Sequence, residues 1–284
     1  MIISAIIIVE MIKFRKLNNI KVKPIRTPDD ENTRPPRGEK LISTAYANIG
    51  LIGKKKTGKS SCIATMLKAF CGPKTKVHIF CSTVLIDPTY IALGEWMDSK
   101  GIEYYPSTSL KSDDGFDLIE DILKIDEDMF KEDEGTDEKG EVQLKLLDLD
   151  PKPKERKPRK SKYKEINRLF VFDDISNELN STSLRRLMKM HRHIRSKILL
   201  STQWLNDIPP QSISQLDYTF LFKNIIPDKL TEAHKKLDLS LDLNVFINMY
   251  EDITKDKKLF NFLYITRFEE YRKNFNELII IEGQ

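Results

Sequence analysis

Gly53-Lys54-Lys55-Lys56-Thr57-Gly58-Lys59-Ser60 decides the fold of this 284-residue chain. It satisfies the phosphate-loop pattern G-x-x-x-x-G-K-[ST] at every fixed position. In such a loop, backbone N–H groups wrap the phosphates of a nucleotide, and a side chain at either glycine would obstruct them. The lysine reaches the β- and γ-phosphates, and the serine hydroxyl ligates Mg²⁺. The flanks fit the motif. Ala47 to Ile52 reads as a buried strand entering the loop. Ile63, Met66, Leu67 and Phe70 then recur at helical spacing, and the helix stops at Gly72-Pro73. Strand, glycine loop and helix together let the helix N-terminus add its own N–H groups and dipole to the anion site. Gly53, Lys54, Lys55, Lys56, Thr57, Gly58, Lys59, Ser60 and the following Ser61 are therefore the expected nucleotide-binding residues, with ATP as the nucleotide.

The second signal is Leu169-Phe170-Val171-Phe172-Asp173-Asp174. Four apolar residues followed by a carboxylate describe a central parallel strand delivering a Walker B aspartate to the metal. Asp173 is expected to bind Mg²⁺ through water beside Ser60. Asp174 is expected to orient or deprotonate the attacking water. Two adjacent carboxylates at the end of an apolar strand need a cation or strong donors nearby. A third element is Ser201-Thr202-Gln203, ending a strand that spans Lys197 to Thr202. Gln203 sits where an amide can hydrogen-bond both the γ-phosphate and water.

Around these landmarks the chain alternates strand and helix. Further strands are expected at Lys76–Cys81, Ile102–Tyr105, Tyr218–Phe222 and Phe260–Thr266. Helices are expected at Thr89–Lys100, Ser181–His191 (capped by Ser181 or Asn180), Asp228–Leu237 and Leu243–Tyr250. The alternation implies one α/β domain over residues 1–284, a P-loop NTPase with a RecA/ASCE-type, mainly parallel sheet flanked by helices. From about 126 to 165 an acidic block gives way to a basic, proline-bearing one, which reads as a flexible charged insertion. Its basic half is either a nucleic-acid contact or a solvated neighbour of the acidic half. Ile2 to Val9 is apolar but too short to span a bilayer, and reads as an accessory strand. No other stretch approaches membrane length, so a soluble intracellular protein with no membrane partner is expected. A net charge of +4 leaves DNA binding to a local patch. Cys62, Cys71 and Cys81 read as reduced thiols, and neither they nor the four histidines show metal-ligand spacing. Trp204, Phe220, Phe222, Phe260 and Phe262 read as core rather than base-stacking platforms. Arg185, Lys189 and Arg192 read as one basic helix face.

The segment Arg192-His193-Ile194-Arg195-Ser196-Lys197-Ile198-Leu199-Leu200-Ser201-Thr202-Gln203 follows the double-aspartate strand and a basic helix. In that setting it resembles the FtsK–HerA superfamily of DNA-translocating ATPases, most of all the DNA-packaging branch of large DNA viruses and virophages. The resemblance covers roughly Ala47 to Thr266. It implies a ring of identical subunits that moves double-stranded DNA, capsid proteins as partners, and a virus factory or virion as the place of action. It also implies that Arg192 is an arginine finger reaching a neighbouring subunit's nucleotide, with Arg186 and Arg195 as alternatives. Asp174 stands where the cellular translocases more often carry glutamate, a shorter reach, and the charged insertion is not part of the common pattern. Two other classes compete. A nucleotide-switched binding module would need a guanine-reading N-K-x-D, which the sequence lacks. A small-molecule P-loop kinase fits the Asp-Asp pair and the Thr-Gln strand end less well.

Overall fold

A computed structural model describes residues 34–124, 162–256 and 260–281. Ile2 to Val9 and most of the charged insertion lie outside those residues. The loop strand β1 (Ala47–Ile52) is buried along its whole length and lies parallel between two others. In order across the sheet come β3 (Tyr104–Ser107), β2 (Lys76–Cys81), β4 (Arg168–Asp173), β5 (Ser196–Thr202), β1 and β6 (Tyr218–Phe222). All six run parallel. Three further strands, β7 (Phe262–Thr266), β8 (Tyr271–Lys273) and β9 (Glu277–Leu278), continue from β6 in antiparallel pairing.

The central strands are apolar runs because both faces of the sheet are covered. On one face Ile49, Leu51, Val77, Ile79, Leu169 and Val171 meet α1 (Lys59–Phe70) and α2 (Pro88–Lys100). On the other, Ile52, Phe80, Phe170, Phe172, Ile198 and Leu200 meet the rest. Those helices are α3 (residues 118–124), α4 (Thr182–Met190), α6 (Pro227–Lys236) and α7 (Leu243–Thr254), with a single turn, α5 (Pro210–Ile213), between strands. Local chemistry sets the boundaries. Asp87 caps α2 by accepting from Thr89 N at 2.7 Å, and Pro88 supplies the preset φ of the first turn. Ser181 caps α4 by accepting from Leu184 N at 3.1 Å.

The expected mainly parallel α/β sheet is the observed one, with five differences. β3 begins two residues later than the sequence suggests, because Ile102 is buried before the strand pairs. The last long strand starts at Phe262 rather than Phe260 and runs antiparallel to β6. Phe260 is not core but 59% exposed, while Phe220, Phe222 and Phe262 are buried as expected. Trp204, also expected in the core, is half-buried at the end of β5. Finally, α4 ends at Met190, so Arg192 leaves the helix and does not share a helical stripe with Arg185 and Lys189.

Candidate active site

The C-terminal ends of β1, β4 and β5 open into a cavity of about 400 Å³. Its lining includes Lys55, Lys56, Gly58, Lys59, Ser60 and Ser61 from the loop, Asp173 and Asp174 from β4, and Ser201, Thr202 and Gln203 from β5. The fold thus brings the three sequence signals to one place. β5 lies between β1 and β4, so Ser201 stands opposite Asp173 across one pair of strands and opposite Leu51 across the other.

The loop is built for anions. Gly53 must lack a side chain, since a Cβ there would come within 2.6 Å of Phe222 Cβ. Gly58 adopts φ 102°, which favours glycine, and it leads α1 with no side-chain cap. The first N–H groups of α1 therefore have no side-chain acceptor at the cap, the arrangement in which a helix N-terminus receives a phosphate. Thr57 is buried and closes the loop by donating to Lys54 O at 2.8 Å. Lys59 Nζ donates to Gly53 O at 2.5 Å and Lys54 O at 3.1 Å, folding its ammonium over the loop. Burial lowers the Lys59 pKa, while the charges of Asp173 and Asp174 oppose that shift.

The two aspartates occupy different environments. Asp173 is 7% exposed. Its Oδ2 accepts from Tyr90 OH at 2.6 Å and from Ser60 Oγ at 3.3 Å. Those donors, one from α2 and one from the loop helix, satisfy a carboxylate that burial would otherwise penalise. The Tyr90 hydroxyl's pKa is raised well above its usual value by burial and by the Asp173 charge, so it remains a donor. Asp174 is exposed and adopts φ 52°, a conformation uncommon outside glycine, with its carbonyl accepting from Ser82 Oγ at 3.2 Å. Only Asp173 needs compensating donors.

The oxygen donors facing each other, Ser60 Oγ and the Asp173 carboxylate, suit a hard divalent cation. Mg²⁺ is typically held by one or two carboxylates together with substrate phosphates rather than by a full protein cage. Among the described residues no group of three His, Cys, Asp or Glu gathers to hold a metal.

β5 contributes two groups with spare hydrogen-bonding capacity. Ser201 is 1% exposed, and its Oγ has no hydrogen-bond partner. Gln203 is half-buried at the cavity wall, whereas Thr202 Oγ1 is committed to Trp204 O at 2.9 Å. Sequence reasoning named Ser201 in the third element without a role for it, expected Phe260 in the core where it instead lines the cavity, and missed Tyr90. Ser201 was legible as the neighbour of Gln203. Nothing near Tyr90 signals its bond to a residue 83 positions away.

The arginines lie elsewhere. Arg192 is 66% exposed on its side chain and approaches Asp217 Oδ1 at 3.7 Å. Asp217 in turn accepts from Asn48 N at the start of β1, so Arg192 stands where the strands begin. Arg195 immediately precedes β5, and Gln203 immediately follows it. Eight residues of extended chain place those edges roughly 25 Å apart. Arg186 pairs with Glu120 of α3 at 2.7 Å. None of the three lines the cavity of its own chain.

Loop, sheet order and flanking helices together define a P-loop NTPase fold. No family model and no curated protein matches the sequence. Among solved structures, the chain is similar to the genome packaging NTPase B204 from Sulfolobus turreted icosahedral virus 2 in complex with AMP. The TM-score is 0.50 at 15% identity, over 81% of this chain and 98% of that one. The DNA-packaging ATPase B204 from Sulfolobus Turreted Icosahedral Virus matches with a TM-score of 0.48 at 15% identity, over 80% and 96% of the two chains. The cytoplasmic domain of the Thermomonospora curvata type VII secretion ATPase EccC matches at 0.41 and 11% identity, over 91% of this chain and 28% of that one. The chain shares the fold of the first of these over 81% of its own length and 98% of that chain's.

Proposed function

We propose that this protein is a Mg²⁺-dependent ATPase that assembles as a ring and moves double-stranded DNA, packaging a genome into a viral capsid. The observation that carries the ATPase reading is the convergence of Lys59, Ser60, Asp173, Asp174 and Gln203 on one cavity. The DNA-moving reading is supported by the Arg192-to-Gln203 segment and by the fold shared with a genome packaging NTPase.

Phosphoryl transfer depends mostly on positioning and on stabilising charge. The loop N–H groups and Lys59 bind the phosphates and offset their charge. Ser60 and Asp173 would hold Mg²⁺, which supplies charge neutralisation at the phosphates when bound. Tyr90 fixes the Asp173 carboxylate through its hydrogen bond. Asp174, exposed at the cavity and not drawn into the Tyr90–Ser60 pairing, is free to orient water and take its proton. Gln203 reports the γ-phosphate through its amide. Arg192 is beyond reach of its own chain's phosphates, so its finger role requires a neighbouring subunit.

Turnover of ATP measured with Mg²⁺, with and without double-stranded DNA, tests the reading. DNA is expected to stimulate hydrolysis at protein concentrations where gel filtration shows an assembly. Phosphate transfer to a small acceptor, with no response to DNA, would replace the motor with a kinase. Nucleotide binding without turnover would leave a switch.

A further inference from the structure

Phe260 is out of place for an apolar side chain. It is 59% exposed, yet it belongs to the wall of a cavity otherwise lined mainly by lysine, serine, threonine and aspartate. A scattered exposed phenylalanine needs no explanation by itself. This one stands at a specific end of the nucleotide cavity, and sheet order shows which end.

β1 delivers the loop between β5 on one side and β6 on the other. The groups suited to the metal and the terminal phosphate, Asp173, Asp174, Ser201 and Gln203, all come from the β4–β5 side. A triphosphate with its γ-end there directs its α-phosphate, sugar and base toward the β6–β7 side. Phe260 lies on that side, two residues before β7, and Lys223 directly follows β6. The ring is fixed relative to the loop. A Cβ built on Gly58 would meet Phe260 Cβ, Cγ and Cδ1 at 2.9 Å, so the ring packs directly on the backbone that holds the phosphates. Buried Lys223 places its Nζ 5.2 Å from the ring centroid, a cation–π contact that steadies the ring's orientation.

The geometry points to Phe260 as the platform on which the base of the bound nucleotide stacks. The inference rests on the nucleotide-binding reading of the loop and adds the half of the ligand that the phosphate machinery does not address. A ring reads the face of a base rather than its hydrogen-bonding edge, so the ligand class is a nucleoside triphosphate, recognised by having a base rather than by which base it has.

The test compares two probes in competition binding with Mg²⁺: ATP, and inorganic tripolyphosphate, which has the charge but no base. Phe260→Leu keeps an apolar packing group against Gly58 and removes the π-face; Phe260→Trp keeps the face. In Phe260→Leu, ATP affinity is expected to fall roughly tenfold, within the range of a lost base–aromatic stack. Tripolyphosphate affinity should be unchanged, and Phe260→Trp should bind ATP at least as well as the wild type. An equal loss for both probes would show that the ring only props the loop, and unchanged ATP affinity would show no stacking; either overturns the proposal. Wild-type protein that binds tripolyphosphate as tightly as ATP also overturns it while leaving the phosphate loop intact. Wild-type protein that binds neither probe removes the loop reading itself, and the stacking proposal with it. Because the side chain is exposed, melting temperature should stay constant across the set.

Discussion

The two ends of the parallel sheet use similar residues to opposite effect. Where the strands begin, Asn48 Nδ2 donates to Met188 O at 3.0 Å and Gln215 O at 2.9 Å. His191 Nδ1 bonds Met188 O at 2.7 Å, and Asp217 accepts from Asn48 N. Lys197, 1% exposed, donates to Thr44 O at 2.5 Å and lies 4.7 Å from the centre of the Phe70 ring. These groups stitch segments together, with Asn48 Oδ1 and His191 Nε2 left without a hydrogen-bond partner. Where the strands end, Lys59 holds only its own loop carbonyls, Ser201 Oγ has no partner, and Asp174 faces solvent in a left-handed conformation. At the strand ends these unsatisfied or strained groups line an open cavity, where a ligand can repay the deficit. One edge of the sheet is braced and the other is prepared, although β5 contributes to both within a few residues.

The contrast is broken most directly at Lys59. Lys59→Ala is expected to abolish ATP turnover while the melting temperature moves little, because Lys59 bonds only loop carbonyls and supports no core packing. Coupled-enzyme turnover and a thermal melt on the same preparation decide it. Normal turnover by a folded variant would mean that the prepared edge is not the catalytic one.

The prepared edge was largely legible in the sequence, because its signals are local. Strand, loop and α1 are contiguous, and the β4 run announces its own carboxylates. What was not legible depended on tertiary pairing. Period-two spacing placed Phe260 and Phe262 on one strand. In the structure Phe262 N donates to Asn274 Oδ1 at 3.0 Å, and Asn261 Nδ2 donates to Ile253 O at 3.2 Å. Those side-chain bonds start the strand at Phe262 and leave Phe260 outside it. The antiparallel β7–β9 flank follows from which edge of β6 was open, which no local pattern encodes. Tyr90 looked like any helical aromatic until the fold carried Asp173 to it. Arg192 carried a functional expectation only through resemblance, and the sequence alone could not place it at the braced edge.

That placement makes Arg192 the next test, with a large but conditional effect. At the far edge of its own sheet it can serve only a neighbour's nucleotide, so an all-Arg192→Ala assembly should bind ATP normally and hydrolyse it poorly. Mixed with Lys59→Ala subunits it should regain partial turnover, since some boundaries then pair an intact loop with an intact arginine. Proven co-assembly with no recovery would return Arg192 to a bracing role beside Asp217, in line with the rest of that edge. Arg186 and Arg195 would be tried next.

The smallest expected effect probes the braced edge itself. Burial lowers the Lys197 pKa to about 7, against an opposing influence from Asp217. Below pH 7 the amine is protonated in both folded and unfolded chains. As pH rises above 7 the folded protein releases this proton while the unfolded chain, at its ordinary 10.5, keeps it. The unfolded state then binds more protons, so this residue makes stability rise with pH. The useful window ends near pH 8.5. Above it the unfolded chain's thiols ionise, whereas burial pushes Cys62 and Cys71 up to about 12, and stability falls again. Because the Lys59 pKa is lowered too, the informative quantity is the difference between wild type and Lys197→Met, not the wild-type slope. Across pH 7 to 8.5 that difference should change by at most about 2 kcal/mol, with the variant favoured most at pH 7. Urea denaturation at four pH values measures it. A constant difference would mean that Lys197 stays charged in the fold, held by the Thr44 carbonyl and the Phe70 ring strongly enough to cancel its burial.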